Sequence, residues 1–292
     1  MLETPDLRRT AEPRRRSGLR RLTRSTSGVV GLGLTAVVVV VAVVAPWLSP
    51  HPPFSSVAPS LEPPSSAHLM GTDALGRDVL SGVLLGARTS LLVAVGVGLL
   101  AALIGISVGL LSGYTAGRID DVMMRATEFV QVLPRFFLAV VVFALFGPGI
   151  DRLIVVLGLT SWAVLARVVR SETLSLRQRG FVLAARALGA RWPRILLREL
   201  LPAVLPSTLT FVGLIMAQAI LLEASLGFLG LGDPNAMTWG FLAGQAQRYL
   251  RVAWWLSVFP GVAIMIAVLG INQLGDGLTE ALGRRSSSRP RA

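Results

Sequence analysis

Residues 90–117 read SLLVAVGVGLLAALIGISVGLLSGYTAG, twenty-eight consecutive positions without a charged side chain. A helix rises 1.5 Å per residue, so about 20 apolar residues cross the ~30 Å hydrocarbon core of a bilayer. This stretch exceeds that length and is too apolar for a helix in a water-soluble core. It reads as a membrane span, and it fixes lipid as the solvent for the fold. Ala101, Gly105, Gly109 and Gly113 recur along it every four residues. In lipid such a small-residue stripe admits another helix at close range, inside the bundle or on a partner.

Outward from this span, residues 28–48, 200–222 and 252–275 are three further charge-free apolar runs of spanning length. Two shorter runs, 136–150 and 153–166, lie either side of Gly147-Pro148-Gly149 and Asp151-Arg152. They read as a helical hairpin with a tight, wet turn. Each arm reaches spanning length only by passing a charge, with Arg135 and Arg167 snorkelling to the interface. The expected fold is an all-α polytopic membrane protein with six transmembrane helices.

Charge orients these spans. Every one of the 28 basic residues is arginine, and the net charge is +12. With the N-terminus inside, twenty-three arginines fall on the inner side and five (Arg77, Arg88, Arg152, Arg248, Arg251) on the outer side. Positive charge is retained inside, so the topology is N-in and C-in. The first apolar run is longer than a signal-peptide core and reads as an uncleaved anchor. The segments are then an Arg-rich inner tail (1–27), a first span (28–48), a Pro-rich outer segment (49–88), a five-helix core (89–283) carrying an inner loop (174–202), and an inner tail (284–292). Within the outer segment, residues 49–67 are rich in Pro and Ser and are expected to be extended and non-helical.

Composition removes several function classes. Hydrophobic residues make up 53% of the 292 positions and charged residues 15%, and mean hydropathy is +0.66. Soluble domains carry about 25% charged residues. The arginines alternate with apolar runs and form no single basic face, so nucleic acid is not an expected partner; the lipid membrane is. There is no cysteine, and the two histidines, His51 and His68, sit in the Pro-rich stretch. No metal site and no nucleophile–base set is expected. A P-loop ATPase requires a lysine, and the chain has none. The chain is thus no enzyme on this reading, and binds no cofactor of its own.

Two loops and three polar side chains remain as candidates. In residues 174–202, Ala184 and Ala185 are small, Gly189 permits a turn, Pro193 suits the first turn of a second short helix, and Leu201-Pro202 leads into the next span. A helix-turn-helix on the inner face is a docking element; the alternative is a helix lying on the membrane surface. In the outer segment, Thr72 or Asp73 can cap a helix start, and Asp73, Arg77 and Asp78 can pair across one turn. Gln218, Glu223 and Asn272 are polar groups within apolar spans. Glu223 lies 21 residues after Pro202, about 32 Å along a helix, near the outer boundary where water is available. It reads as a pathway or gate residue, or as a structural or snorkelling one, and Asn272 as an inner-exit residue or an interhelical hydrogen-bonding one. Trp239, in a glycine-rich outer loop, suits an interfacial belt or a gate.

The inner loop resembles the EAA loop of ABC-importer permeases, with Ala184, Ala185, Gly189, Leu201 and Pro202 at the family's spacing. It departs in carrying Leu183 where the family has glutamate and Glu199 where it has isoleucine. The outer run HLMGTDALGRDVLSGVLLGARTS (68–90) resembles the C-type subunit of dipeptide, oligopeptide and nickel permeases, through Gly71, Thr72, Asp73, Gly76, Arg77 and Asp78. Gly113-Tyr114, Asp120, Arg125, Gly147-Pro148-Gly149, 226–232, Trp239-Gly240 and 274–278 fit the same pattern, so the likeness extends over about residues 28–284. The resemblance implies a type I ABC-importer permease fold in a prokaryotic inner or plasma membrane. It implies a B-type permease partner, two ATPase subunits that hold ATP and magnesium, and an extracytoplasmic substrate-binding protein. It implies that the EAA-like loop is the coupling element, and that the cargo is a short peptide, with nickel or another small solute as the alternative. A secondary transporter is the competing class; it predicts two related halves with broken helices, and no such symmetry is visible.

Overall fold

The structure, a computed structural model, describes residues 22, 23 and 25–283. Most of the inner-tail readings therefore lie outside the described residues. Among the described residues, every regular element is helical, and the β-type pairing is a single bridge between Thr72 and Asp78.

Helix α1 is Thr26–Leu48 and α2 is Val79–Thr115. Helix α3 is Arg118–Val132, α4 is Arg135–Phe146 and α5 is Ile150–Leu176. Helix α6 is Gly180–Ala187, α7 is the continuous stretch Trp192–Phe228, α8 is Trp239–Ala246 and α9 is Trp255–Gly283. Five of these are long and apolar enough to cross a membrane: α1, α2, α5, α7 and α9.

The third expected span differs. It is not one straight helix but α3 and α4, which meet at Leu133-Pro134 with a bend of 73°. Pro134 sets the break, because residue 133 before it is pushed out of the helical region, and Leu133 is extended at ψ 120°. Helix α4 has 12 residues, about 18 Å, which is too short to cross alone. The six-span count holds only if the bent pair forms one span.

Three apolar clusters hold the bundle. The largest joins α2, α4, α5, α6 and α7, with Val97, Leu157, Leu165, Val182 and Leu200 almost fully buried. A second joins α1, α2, α7 and α9 around Val38, Ile220 and Ile271, and includes Trp239. The third closes the Pro-rich end around Val79, Leu242 and Trp255.

The glycine stripe of α2 is used inside the chain. A Cβ on Gly109 would lie 2.6 Å from the Val169 Cβ, and one on Gly113 would lie 2.6 Å from the Thr173 Cβ. Leu165, Val169 and Thr173 form the matching row on α5, so α2 and α5 meet nearly backbone to backbone. A bidentate ion pair locks the same junction. Arg170 donates from Nε and Nη2 to Asp120 at 2.6 Å each, and Ser112 on α2 also donates to Asp120.

Candidate coupling and translocation sites

At one end of the bundle the chain turns between α6 and α7. Helix α6 ends in a Schellman motif: Gly189 N–H donates to Arg186 O at 2.9 Å and Ala190 N–H to Ala185 O at 3.0 Å. The motif needs a left-handed residue, and Gly189 has φ +77°. Nothing lies within 4 Å of a Cβ built there, so its glycine serves conformation and not close packing. Ala184 is exposed and Ala185 half-buried. Leu201 is half-buried and Pro202 exposed.

The second arm departs from expectation. Trp192 does not start a separate short helix; it starts α7, which runs on to Phe228. Between Ile195 and Leu200 the ladder opens to π geometry, with Leu201 N–H donating to Leu196 O. Pro202 supplies no N–H immediately afterwards. Val182, Ile195 and Leu196 face inward, at 0%, 1% and 5% exposure. Phe181, Leu183, Leu188 and Trp192 face outward, at 42%, 50%, 88% and 55%. The elbow thus has an inner apolar face that anchors it and an outer apolar face that nothing among the described residues covers. Arg186 stacks over the Tyr114 ring at 4.8 Å, and Arg177 donates to Tyr114 O at 3.3 Å. These contacts attach the elbow to the end of α2.

The opposite end is knitted by polar groups. Gly71 and Gly76 have φ +74° and +70°, and a Cβ on Gly76 would lie 2.0 Å from Ala58 O. Thr72 caps no helix: its hydroxyl donates to Pro59 O at 2.7 Å and accepts from Glu62 N–H at 2.9 Å. Asp73 caps none either; it accepts from the N–H groups of Leu75 and Arg77, each at 2.8 Å. The cap of α2 is Asp78, which accepts from Ser81 N–H at 2.8 Å and Ser81 Oγ at 2.7 Å. The expected pairing of Asp73, Arg77 and Asp78 does not form. Arg77 lies over the Phe54 ring at 5.2 Å, and Asp78 pairs with His68 Nδ1 at 3.1 Å. Burial pushes the Asp78 carboxyl up, and the Ser81 and His68 hydrogen bonds outweigh it, leaving the group below its ordinary 3.8. Helix α2 therefore begins at Val79, later than a start capped by Thr72 or Asp73 would place it.

The four polar or aromatic pathway candidates separate. Glu223 is buried, at 3% exposure, which fits the structural alternative for it and not a water-facing, snorkelling one. Ser90 Oγ donates to Glu223 Oε2 at 3.2 Å and accepts from Trp239 N–H at 3.3 Å. Trp239 is not interfacial; it is 2% exposed and donates from Nε1 to Val83 O at 3.0 Å. Glu223 and Trp239 thus pin α8 onto α2 and α7. Gln218 lies on the exposed face of α7 and accepts from Arg135 Nη1 at 3.4 Å. Arg135 therefore turns to a neighbouring helix, where the sequence suggested snorkelling. Asn272 stands apart from both groups, and its Oδ1 is buried without a partner among the described residues, where an interhelical bond was expected.

Reasoning from sequence missed the Asp120–Arg170 pair, because fifty residues separate its members. It also missed the Ser207–Glu172 bond of 2.6 Å between α7 and α5. A charge repeatedly placed at an inner span end was the available signal, but it reads equally as topology.

The family model described as "Binding-protein-dependent transport system inner membrane component" matches residues 105–288. A second, "N-terminal TM domain of oligopeptide transport permease C", matches residues 14–64. A putative peptide transport system permease protein of Brucella suis biovar 1 (strain 1330) is 39% identical over 268 residues, 91% of this chain and 90% of that protein. The dipeptide transport system permease protein DppC of Bacillus subtilis (strain 168) is 39% identical over 269 residues, 90% of this chain and 83% of that one. The oligopeptide transport system permease protein OppC of Haemophilus influenzae is 35% identical over 270 residues, 90% and 86% respectively. A chain of the MetNI methionine ABC transporter, solved in an inward-facing conformation, superposes with TM-score 0.59 at 21% identity over 68% of this chain and 94% of its own.

Proposed function

The chain belongs to the binding-protein-dependent transport system inner membrane components, and from that premise we propose that it is the permease wall of an ATP-driven importer of short peptides. Several observations support the parts of this reading. Relatives at 35–39% identity are named as peptide, dipeptide or oligopeptide permeases. The fold is shared with a chain of the MetNI methionine ABC transporter. No lysine exists to build a P-loop, so ATP and magnesium belong to two separate ATPase subunits.

The observation that carries the mechanism is the uncovered apolar elbow: Leu188 at 88% exposure, beside Trp192 and Phe181. An isolated patch of this kind at a bundle end marks a partner surface. The ATPase seats on it. The elbow is rigidly capped at Gly189 and continuous with α7, so its displacement tilts a whole span. Through Tyr114 it also moves α2. A B-type permease faces the exposed stripe of α7 across the peptide path, and an extracytoplasmic binding protein delivers peptide at the Pro-rich end, with N- and C-termini inside. ATP-driven closure biases the two access states. Co-purification of this chain with its ATPase and B-type partner tests the reading. The wild type retains the ATPase; Leu188→Asp loses it while keeping the B-type permease. Retention of the ATPase by Leu188→Asp refutes the coupling role of the elbow.

A further inference from the structure

Helix α4 runs from Arg135 to the Gly147-Pro148-Gly149 turn, and Arg135 lies eleven residues below Phe146, about 17 Å. Its partner Gln218 lies ten residues below Phe228, the last residue of α7, about 15 Å. Both counts put the Arg135–Gln218 contact of 3.4 Å near the middle of a ~30 Å hydrocarbon layer. A cation at that depth is costly unless it faces water or protein. No carboxylate neutralises it: among the described residues, the ion pairs are His68–Asp78 and Arg170–Asp120.

The surroundings are shaped for a ligand. Gln218, Leu221, Ser225 and Phe228 form the exposed stripe of α7. One turn above Gln218 that stripe borders a concavity of about 580 Å³, lined by Phe136 of α4, Leu221, Ser225 and Phe228 of α7, Ala243 of α8 and Ile264 of α9. A volume of this order takes a small organic ligand. Arg135 is the chain neighbour of Phe136, and Gln218 lies three residues before Leu221; Phe136 and Leu221 both line this shallow, open hollow. The 73° bend at Pro134 also leaves the first turn of α4 without a side-chain cap, which adds positive character at the same point.

We propose that Arg135, held by Gln218, is a mid-membrane receptor for the C-terminal carboxylate of a transported peptide, with the peptide body in the concavity above. The inference rests on the peptide-importer reading and adds to it a residue, a depth and a recognised group. The apolar lining tolerates varied side chains. The cation reads the one negative group common to peptides, and the 3.4 Å bond to Gln218 is weak enough to yield to a carboxylate.

The chain has no cysteine, so Gln218→Cys in the assembled complex gives one reporter thiol on this subunit. Its labelling is followed on this subunit with a sulfonate-bearing and an ammonium-bearing thiosulfonate of equal size. The anionic reagent is expected to react about tenfold faster than the cationic one. Arg135→Gln removes that preference, whereas Arg135→Lys keeps it and shows that the fold is retained. Trialanine is expected to slow labelling, and trialanine amide is not. A thiol unreachable from water, a reagent preference unchanged by Arg135→Gln, or equal protection by acid and amide overturns the assignment. ATP-driven uptake is measured in parallel. Carboxylate-specific protection without ATP-driven uptake leaves this site standing and refutes the importer reading instead.

Discussion

The two ends of the bundle solve opposite problems. At the Pro-rich end, Thr72, Asp73, Asp78, Ser81 and the backbone of residues 57–79 bond one another, and Trp255 donates to Thr72 O at 3.2 Å. At the elbow, the shape comes from one capping motif, and large apolar side chains point outward. A segment that satisfies its polar groups internally is finished within the chain. A segment that exposes Leu188 and Trp192 is finished only by a partner. On the proposed function, force enters at the elbow and the knitted end is scaffold.

The largest expected effect comes from the elbow. Leu188→Asp is expected to lower ATPase affinity by about 2–4 kcal/mol, a central hot-spot loss of 30- to 1000-fold, measured by binding to the detergent-solubilised permease pair. The melting temperature of the pair stays unchanged, because Leu188 is 88% exposed.

Next comes the α2–α5 junction, the closely packed seam between the two ends. Gly109→Leu drives side-chain atoms into Val169 and the Ala166 carbonyl. It is expected to cost about 1–3 kcal/mol, read as a lower thermal midpoint. Removing one partner of the Asp120–Arg170 pair leaves a half-buried charge. Asp120→Ala is expected to destabilise by about 2 kcal/mol, and Asp120→Ala/Arg170→Ala by less, since the stranded charge is gone.

At the knitted end, Gly76→Ala places a methyl against Ala58 O at positive φ. It is expected to loosen residues 49–78, about 1–3 kcal/mol, seen as faster protease cleavage there with ATPase binding unaltered. Asp78 adds a pH signature. Its folded value lies below the ordinary 3.8, so its stabilisation is complete above the unfolded value and is lost as pH falls through the folded one. Protease resistance of residues 49–78 should therefore decline only below about pH 4, and Asp78→Asn should flatten that decline. The smallest effect belongs to Gly189→Ala. With open space around Cβ, it carries only the left-handed backbone cost, about 1 kcal/mol.

Much of this was legible from residue order. Span length follows from apolar runs, so α1, α2, α7 and α9 are visible as uninterrupted stretches, α5 as a shorter run that must pass a charge, and Gly189 announces the elbow turn. What escaped depends on neighbours distant in sequence. The run 136–150 has the composition of a span, yet Pro134 divides the crossing into α3 and α4 at an angle that periodicity does not encode. Trp239 has the composition of an interfacial anchor, yet Val83 and Ser90, about 150 residues away, draw it inside. Glu223 followed Trp239 for the same reason. Thr72 and Asp73 are good caps by type, but the turn at Gly76 returns them to residues 58–62 and leaves the capping to Asp78.

The central claim is that movement enters this chain from an ATP-consuming neighbour through the elbow. Peptide uptake into proteoliposomes holding the full complex, with wild-type chain or Leu188→Asp, measures it most directly. Uptake that requires ATP and falls at least about thirtyfold in the variant is the predicted result. Uptake that persists in vesicles lacking the ATPase, or that is unchanged by Leu188→Asp, contradicts it.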